Sequence, residues 1–256
     1  RSNQGDIMSL IEKLLKNSTI KETAVLSKSK VFGNKPEIVT DVPMINAALS
    51  TYLDKGLHPG LFTLAAPSKH FKTAFALMFA GEFLKKYDDG VILFYDSEFG
   101  SPESYYDSFG VDKERVIHTP ITNVEDLKFD ITIQLQNIDK KDHVFILIDS
   151  VGNLASKKEV EDAIDQKSVA DMTRAKQFKS LYRIITPHLN LKDVWCIAVN
   201  HVYKEQSLFP RDIVSGGTGG MYSSDTVWTI GKQQDKDTST SEISGYNFVI
   251  NIEKSR

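Results

Sequence analysis

From residue 37 onward the chain alternates short, almost wholly apolar runs with longer segments of helical periodicity. The runs 61–66, 91–95, 116–118, 144–148, 194–199, 226–230 and 247–252 read as buried strands. Helical patterns lie between them, over 72–87, 102–109, 123–138 and 168–188. This alternation predicts an α/β fold: an open, mostly parallel central sheet with helices on both faces. Upstream, Ile7, Leu10, Ile11, Leu14 and Leu15 recur at helical spacing, followed by a polar stretch and a weaker amphipathic segment. A Gly33-Asn34-Lys35-Pro36 break ends it. This N-terminal helical segment stands outside the alternation. It reads either as a helix folded onto the main core or as one that docks on a neighbouring subunit, and spacing alone does not separate the two.

Composition narrows the picture a little. The 256 residues, 41% hydrophobic and 25% charged, suffice for one large α/β domain with or without a small appendage. A net charge of −3 carries no global basic signature, so any nucleic-acid contact must be local and salt dependent. The single cysteine, Cys196, excludes a disulfide framework within the chain and suits a reducing compartment. Its place in an apolar run predicts a buried, inert thiol. No apolar run reaches the roughly 18 residues of a membrane span and no signal peptide is visible, so a cytoplasmic protein without a membrane partner is expected.

In open α/β sheets ligands gather beyond the carboxyl ends of the strands, which makes the residues after each apolar run informative. After the first comes Ala66-Pro-Ser-Lys-His-Phe-Lys-Thr73, opening a helical pattern. Strand, short loop, Lys-Thr and helix is the layout of a phosphate-binding P-loop, with Lys72 for phosphate and Thr73 for Mg²⁺. Both glycines of the G-x-x-x-x-G-K-[ST] pattern are replaced, by Ala66 and Phe71. Other strand ends deliver Asp96-Ser97-Glu98, Asp149-Ser150 and Asn200-His201 to the same rim. Four or more apolar residues followed by Asp149 is the Walker B form, a carboxylate that orients water on the metal. Glu98 is a candidate general base, against a plain surface carboxylate. Asn200 or His201 is a candidate γ-phosphate sensor, against a structural imidazole. Tyr105 and Tyr106 are candidates to stack on a base, or are simply core. The histidines show no H-x-x-x-H spacing, so no zinc site is expected.

Two further stretches read as working loops. Residues 153–167 are charged and weakly periodic, and 202–224 combine glycines, cations and apolar groups. That content suits a nucleic-acid backbone and unstacked bases, or a flexible surface loop.

Longer phrases go beyond any single motif. Besides the Ala66–Thr73 phrase they are Leu93-Phe-Tyr-Asp-Ser-Glu-Phe-Gly100, Glu114-Arg-Val-Ile-His-Thr-Pro120, Ile148-Asp-Ser-Val-Gly-Asn-Leu-Ala-Ser-Lys-Lys-Glu159, Asp171-Met-Thr-Arg-Ala-Lys176 and Ile252-Glu-Lys-Ser-Arg256. From about residue 20 onward they resemble the RecA-type recombinases, most closely the branch from T-even-like phages. In that branch an aromatic at the position of Phe71 belongs to the pattern, whereas Ala66 departs from an expected glycine.

The resemblance implies a RecA-like P-loop ATPase core over 34–256, an N-terminal oligomerisation segment over 1–33, and absence of the family's C-terminal region. It implies a DNA-dependent ATPase using ATP and Mg²⁺, in host cytoplasm if of phage origin. Such an enzyme forms helical homo-oligomers on single-stranded DNA, pairs it with double-stranded DNA, and works with a single-strand-binding protein and a loader. The same fold also serves hexameric helicases and other oligomeric ATPases, and a non-hydrolysing nucleotide-gated scaffold is the remaining alternative.

Position by position, the resemblance places Ala66, Pro67, Ser68, Lys69, His70, Phe71, Lys72, Thr73, Asp149 and Ser150 around the nucleotide, with Tyr105 on adenine. Thr73 and Asp149 serve the metal. Glu98, Lys72 and His201 take catalytic roles. Lys254 and Arg256 reach a neighbour's ATP like arginine fingers. DNA contacts fall to Lys157 and Lys158 in the first loop, Lys179 after it, and Lys204, Phe209, Arg211, Gly216 and Gly217 in the second.

Overall fold

The computed structural model describes residues 4–29, 31, 33–165, 172–204, 212–215 and 218–255. The chain divides into two units, 1–35 and 36–256. The first carries α1 (Gln4–Asn17), on which Ile7, Leu10, Ile11 and Leu14 recur at helical spacing, and a 3₁₀ turn at Leu26–Lys28.

The strands of the second unit are β1 (Gly60–Ala66), β2 (Val91–Asp96), β3 (Val116–Pro120), β4 (Val144–Asp149), β5 (Trp195–Lys204), β6 (Asp212–Val214), β7 (Thr226–Lys236) and β8 (Ile243–Lys254). Among the described residues the order across the sheet is β3-β2-β4-β5-β1-β7-β8, with β6 paired to the end of β5. Neighbours from β3 to β7 are parallel, and β8 returns antiparallel along β7. The helices are α2 (Pro43–Ser50), α3 (Lys72–Lys86), α4 (Glu103–Ser108), α5 (Val124–Asn137), α6 (Lys157–Ile164), α7 (Thr173–Lys192) and α8 (Thr218–Ser223).

The continuous apolar runs follow from burial on both faces. Alternate residues of the central strands β1, β2, β4 and β5 feed two separate cores. Phe62, Leu64, Phe145, Leu147, Ile197 and Val199 pack with Ile45 and Leu49 of α2 and Phe79 and Phe83 of α3. Leu61, Ile146, Ile148, Cys196 and Ala198 pack with Leu127, Ile131 and Leu135 of α5 and Phe178, Leu181 and Ile185 of α7. Cys196 is buried, and burial pushes its thiol up out of the reactive range.

Three features depart from the sequence reading. The runs 116–118 and 247–252 are not buried: they lie in β3 and β8 at the two ends of the sheet, where one flank has no neighbouring strand among the described residues and most side chains are exposed. The described part of the stretch 153–167, which runs to residue 165, is not an open loop. A 3₁₀ turn at Val151–Asn153 leads into it and α6 follows, whose Ser156 and Glu159 form a reciprocal capping box. The S-x-x-E signature was present in the sequence and signals a helix start. The stretch 202–224 carries an extension of β5, the antiparallel strand β6, and α8. Its Gly219 serves close packing, not freedom: a Cβ there would lie 3.1 Å from the Cα of Lys179 on α7.

Candidate active site

Parallel register brings the carboxyl ends of the central strands to one rim, pairing Ala66 with His201 and Asp96 with Asp149. The chain leaves β1 at Ala66 and enters α3 at Lys72, so Pro67–Phe71 sits at a helix N-terminus. Unpaired N–H groups and the helix dipole favour an anion there. A cleft of about 480 Å³ opens at this point, lined by Ser68, Lys69, His70, Phe71, Lys72, Thr73, Glu98, Tyr105, Asp149 and His201, and also by Lys232 and Tyr246.

The loop is shaped differently from what its missing glycines suggest. Ala66 is the last residue of an extended strand and fully buried, so its position does not require glycine. The left-handed positions are Lys69, at φ +61°, and Phe71, at φ +59°. For non-glycine residues this region costs about 1 kcal/mol or more each. The Phe71 ring packs on Tyr246 and Phe248 of β8, both at 5.6 Å between centroids. Lys232 of β7 donates to the Lys69 carbonyl at 2.7 Å. His70 Nδ1 lies 2.9 Å from the Ser68 carbonyl, closing a local turn. Lys232, Tyr246 and Phe248 were invisible to sequence reasoning, because no local pattern ties a hairpin near the chain end to this loop.

Lys72 begins α3 with its side chain directed back over the loop, donating to the Pro67 carbonyl at 3.0 Å. Burial holds its ammonium below the ordinary lysine range, and the carboxylates of Glu98 and Asp149 partly offset this. The Thr73 hydroxyl donates to Asp149 Oδ2 at 2.5 Å. Asp149 Oδ1 is buried and has no hydrogen-bond partner. Burial pushes the Asp149 carboxyl up to about 6; the Thr73 hydrogen bond opposes this, and Glu98 and Asp96 add to it.

An unsatisfied buried carboxylate oxygen is costly, and a hard divalent cation with its waters is the group that would satisfy it. Thr73 directs its O–H toward Asp149, which leaves the hydroxyl lone pairs available to such a cation. Among the described residues no group of three or more His, Cys, Asp or Glu could hold a metal unaided.

A pH test follows from Asp149. Its carboxyl titrates higher in the folded chain than in the unfolded one. Below about pH 4 both forms are protonated, and from about pH 4 to about pH 6 the unfolded form ionises first. Stability is thus lost as pH rises through that window. Asp149→Asn is expected to remove this loss and stabilise the ligand-free protein at pH 7 by at most about 3 kcal/mol, measured by denaturant unfolding at several pH values.

On the opposite wall His201 Nε2 lies 2.9 Å from Glu98 Oε1 and 3.2 Å from Ser150 Oγ. The bond to His201 holds the Glu98 carboxyl below the ordinary range, against the effect of burial. The imidazole rests on Gly152, where a Cβ would come within 2.5 Å of the ring. Beneath it, Arg174 donates to the carbonyls of Leu154 at 2.6 Å and Gly152 at 2.8 Å. This guanidinium is engaged within the chain, holding the turn on which His201 sits. Ser150 is buried, and its carbonyl accepts from Ser97 Oγ at 2.7 Å. Asp96 is a turn residue, accepting from the backbone N–H groups of Glu98 and Phe99. Of the paired tyrosines only Tyr105 lines the cleft, its ring edge-on to Phe109; Tyr106 packs on Phe94.

Other expected site residues lie elsewhere. Lys254 does not line the cleft of its own chain; it donates to the Tyr222 and Met221 carbonyls at the end of α8, where a cation suits the helix dipole. Lys157 pairs with Asp126 at 2.7 Å and Lys158 with Asp162 at 2.5 Å in the first turns of α6. Lys179 stands on α7 beside α8. Lys204 ends β5, but its side chain, together with Phe209, Arg211, Gly216, Gly217 and Arg256, lies outside the described residues.

Fold and site thus define an α/β protein with a mostly parallel sheet and a cleft of basic and acidic groups at its carboxyl rim. No family model matches the chain. It is 51% identical over 247 residues to the "Recombination and repair protein" of Enterobacteria phage T4, a match that covers 96% of this chain and 63% of the phage protein. Among the described residues no helix is long and apolar enough to cross a membrane.

Proposed function

We propose that this chain is the ATPase core of a UvsX-type phage recombinase, with a RecA-like P-loop at 66–73, acting in recombination and repair. In this reading it binds ATP with Mg²⁺, assembles on single-stranded DNA as a helical filament, and promotes pairing and strand exchange with double-stranded DNA. The observation that carries the reading is the Thr73–Asp149 contact with an unpartnered Asp149 oxygen, beside Lys72 at the start of α3. Similarity to a phage protein named for recombination and repair supports the biological role.

Bound Mg²⁺ would neutralise charge on the phosphate oxygens. The chain's own groups have distinct tasks. N–H groups at the start of α3 receive phosphate oxygens, and Lys72 turns its ammonium from the Pro67 carbonyl to them. Thr73 and Asp149 hold the cation and its waters. Glu98, kept ionised by His201, positions a water and accepts its proton. Tyr105 offers a ring face to the base. Lys254 and Arg256 act on the cleft of an adjacent copy, while a single-strand-binding protein and a loader govern access to DNA.

The test is ATP turnover with and without single-stranded DNA. Acceleration by DNA is expected, and turnover indifferent to DNA would overturn the recombinase reading.

A further inference from the structure

We infer that Lys232 is a positioning residue for a polyphosphate ligand: with Tyr246 it clamps the 67–71 loop in a left-handed conformation that such loops otherwise reach through glycine. The inference rests on the proposed reading of the cleft as an ATP site and deepens it by assigning what holds the loop.

The residues that form the clamp share one face of the β7–β8 hairpin. Lys232 is directly opposite Phe248, and Tyr246, two residues before Phe248, is its diagonal neighbour. The Lys232 ammonium lies 4.6 Å from the centroid of Tyr246 and 5.3 Å from that of Phe71, while donating to the Lys69 carbonyl at 2.7 Å. One cation thus touches both left-handed segments of the loop: Lys69 through its carbonyl and Phe71 through its ring. Phe248 closes the stack against Phe71 and Phe75. Phe71 is also the N-cap residue of α3 and supplies no side-chain hydrogen bond to the helix, so the cap is held from outside. Lys232 and Tyr246 line the same cleft as Lys72 and Thr73. The hairpin therefore sets where the N–H groups at the start of α3 point, and hence how well they receive phosphate.

The experiment is a titration of ATP with Mg²⁺ into the wild type and into the variants K232M, K232R, F71G, F71G/K232M and K72A, each checked for folding by thermal melting. Lys232→Met is expected to weaken binding roughly tenfold, the size of one charge-assisted contact. Lys232→Arg, which keeps the charge, a donor and the ring stacking, recovers most of it. In the Phe71→Gly background the left-handed backbone no longer needs the clamp, so adding K232M changes affinity by less than about threefold. Should K232M fail to fold, Tyr246→Leu removes one ring of the clamp and carries the same expectation at smaller size. Wild-type affinity in K232M, or an equal loss in the F71G background, overturns the clamp while leaving the ATP site standing. No ATP binding by the wild type, or unchanged binding by K72A, overturns the site and the clamp together.

Discussion

Glu98→Gln is expected to lower ATP turnover by about 10²–10³-fold while ATP affinity stays within a few-fold of wild type. Glu98 stands exposed on the turn two residues past the end of β2 and accepts from His201 at 2.9 Å, so its carboxylate has a fixed direction. Glutamine keeps the size and the acceptor oxygen facing His201 but cannot take a proton from water. The loss therefore belongs in kcat and not in binding. Single-turnover kinetics beside equilibrium titration separates the two. Turnover unchanged at a background level would remove Glu98 as the base and favour a nucleotide-gated scaffold that does not hydrolyse.

Lys72→Ala carries the second large effect. Nucleotide affinity is expected to fall by about 100-fold or more, because the cation proposed to reach the phosphates is lost from a site where it is 7% exposed and weakly screened. Thermal stability should not fall in step. Burial disfavours the Lys72 ammonium, which donates a hydrogen bond to the Pro67 carbonyl. Removing it relieves a desolvation cost that the folded chain carries in the absence of ligand. Loss of binding with an unchanged or raised melting temperature is the expected pair of results, and nucleotide-dependent DNA binding retained by the variant would refute the role given to Lys72.

Much of this arrangement is legible in the sequence. The runs ending in Asp96, Asp149 and Asn200-His201 became β2, β4 and the first part of β5, and parallel register did put them beside the loop after β1. Burial on both faces leaves a strong mark, because a residue of either parity must be apolar. Short polar helices leave a weaker one. α6 was missed although Ser156 and Glu159 announce it, since its charged residues mask the period. α8 was missed because glycines there serve close approach to Lys179 and Tyr182, which only a neighbouring helix can explain.

The sequence by itself determined the α/β alternation, the rim on which the polar residues collect, and the identity of Lys72, Thr73, Glu98, Asp149 and His201 as a candidate set. These are consequences of order along the chain and of the carboxyl ends of parallel strands lying on one side. The tertiary structure alone decided that Ala66 lies in an extended strand whose backbone does not require glycine, that Tyr105 and not Tyr106 lines the cleft, and that Arg174 is committed to carbonyls under His201. It alone brought Lys232 and Tyr246 onto the loop. Backbone handedness at Phe71 depends on what packs against its ring, and that partner arrives from a hairpin remote in sequence.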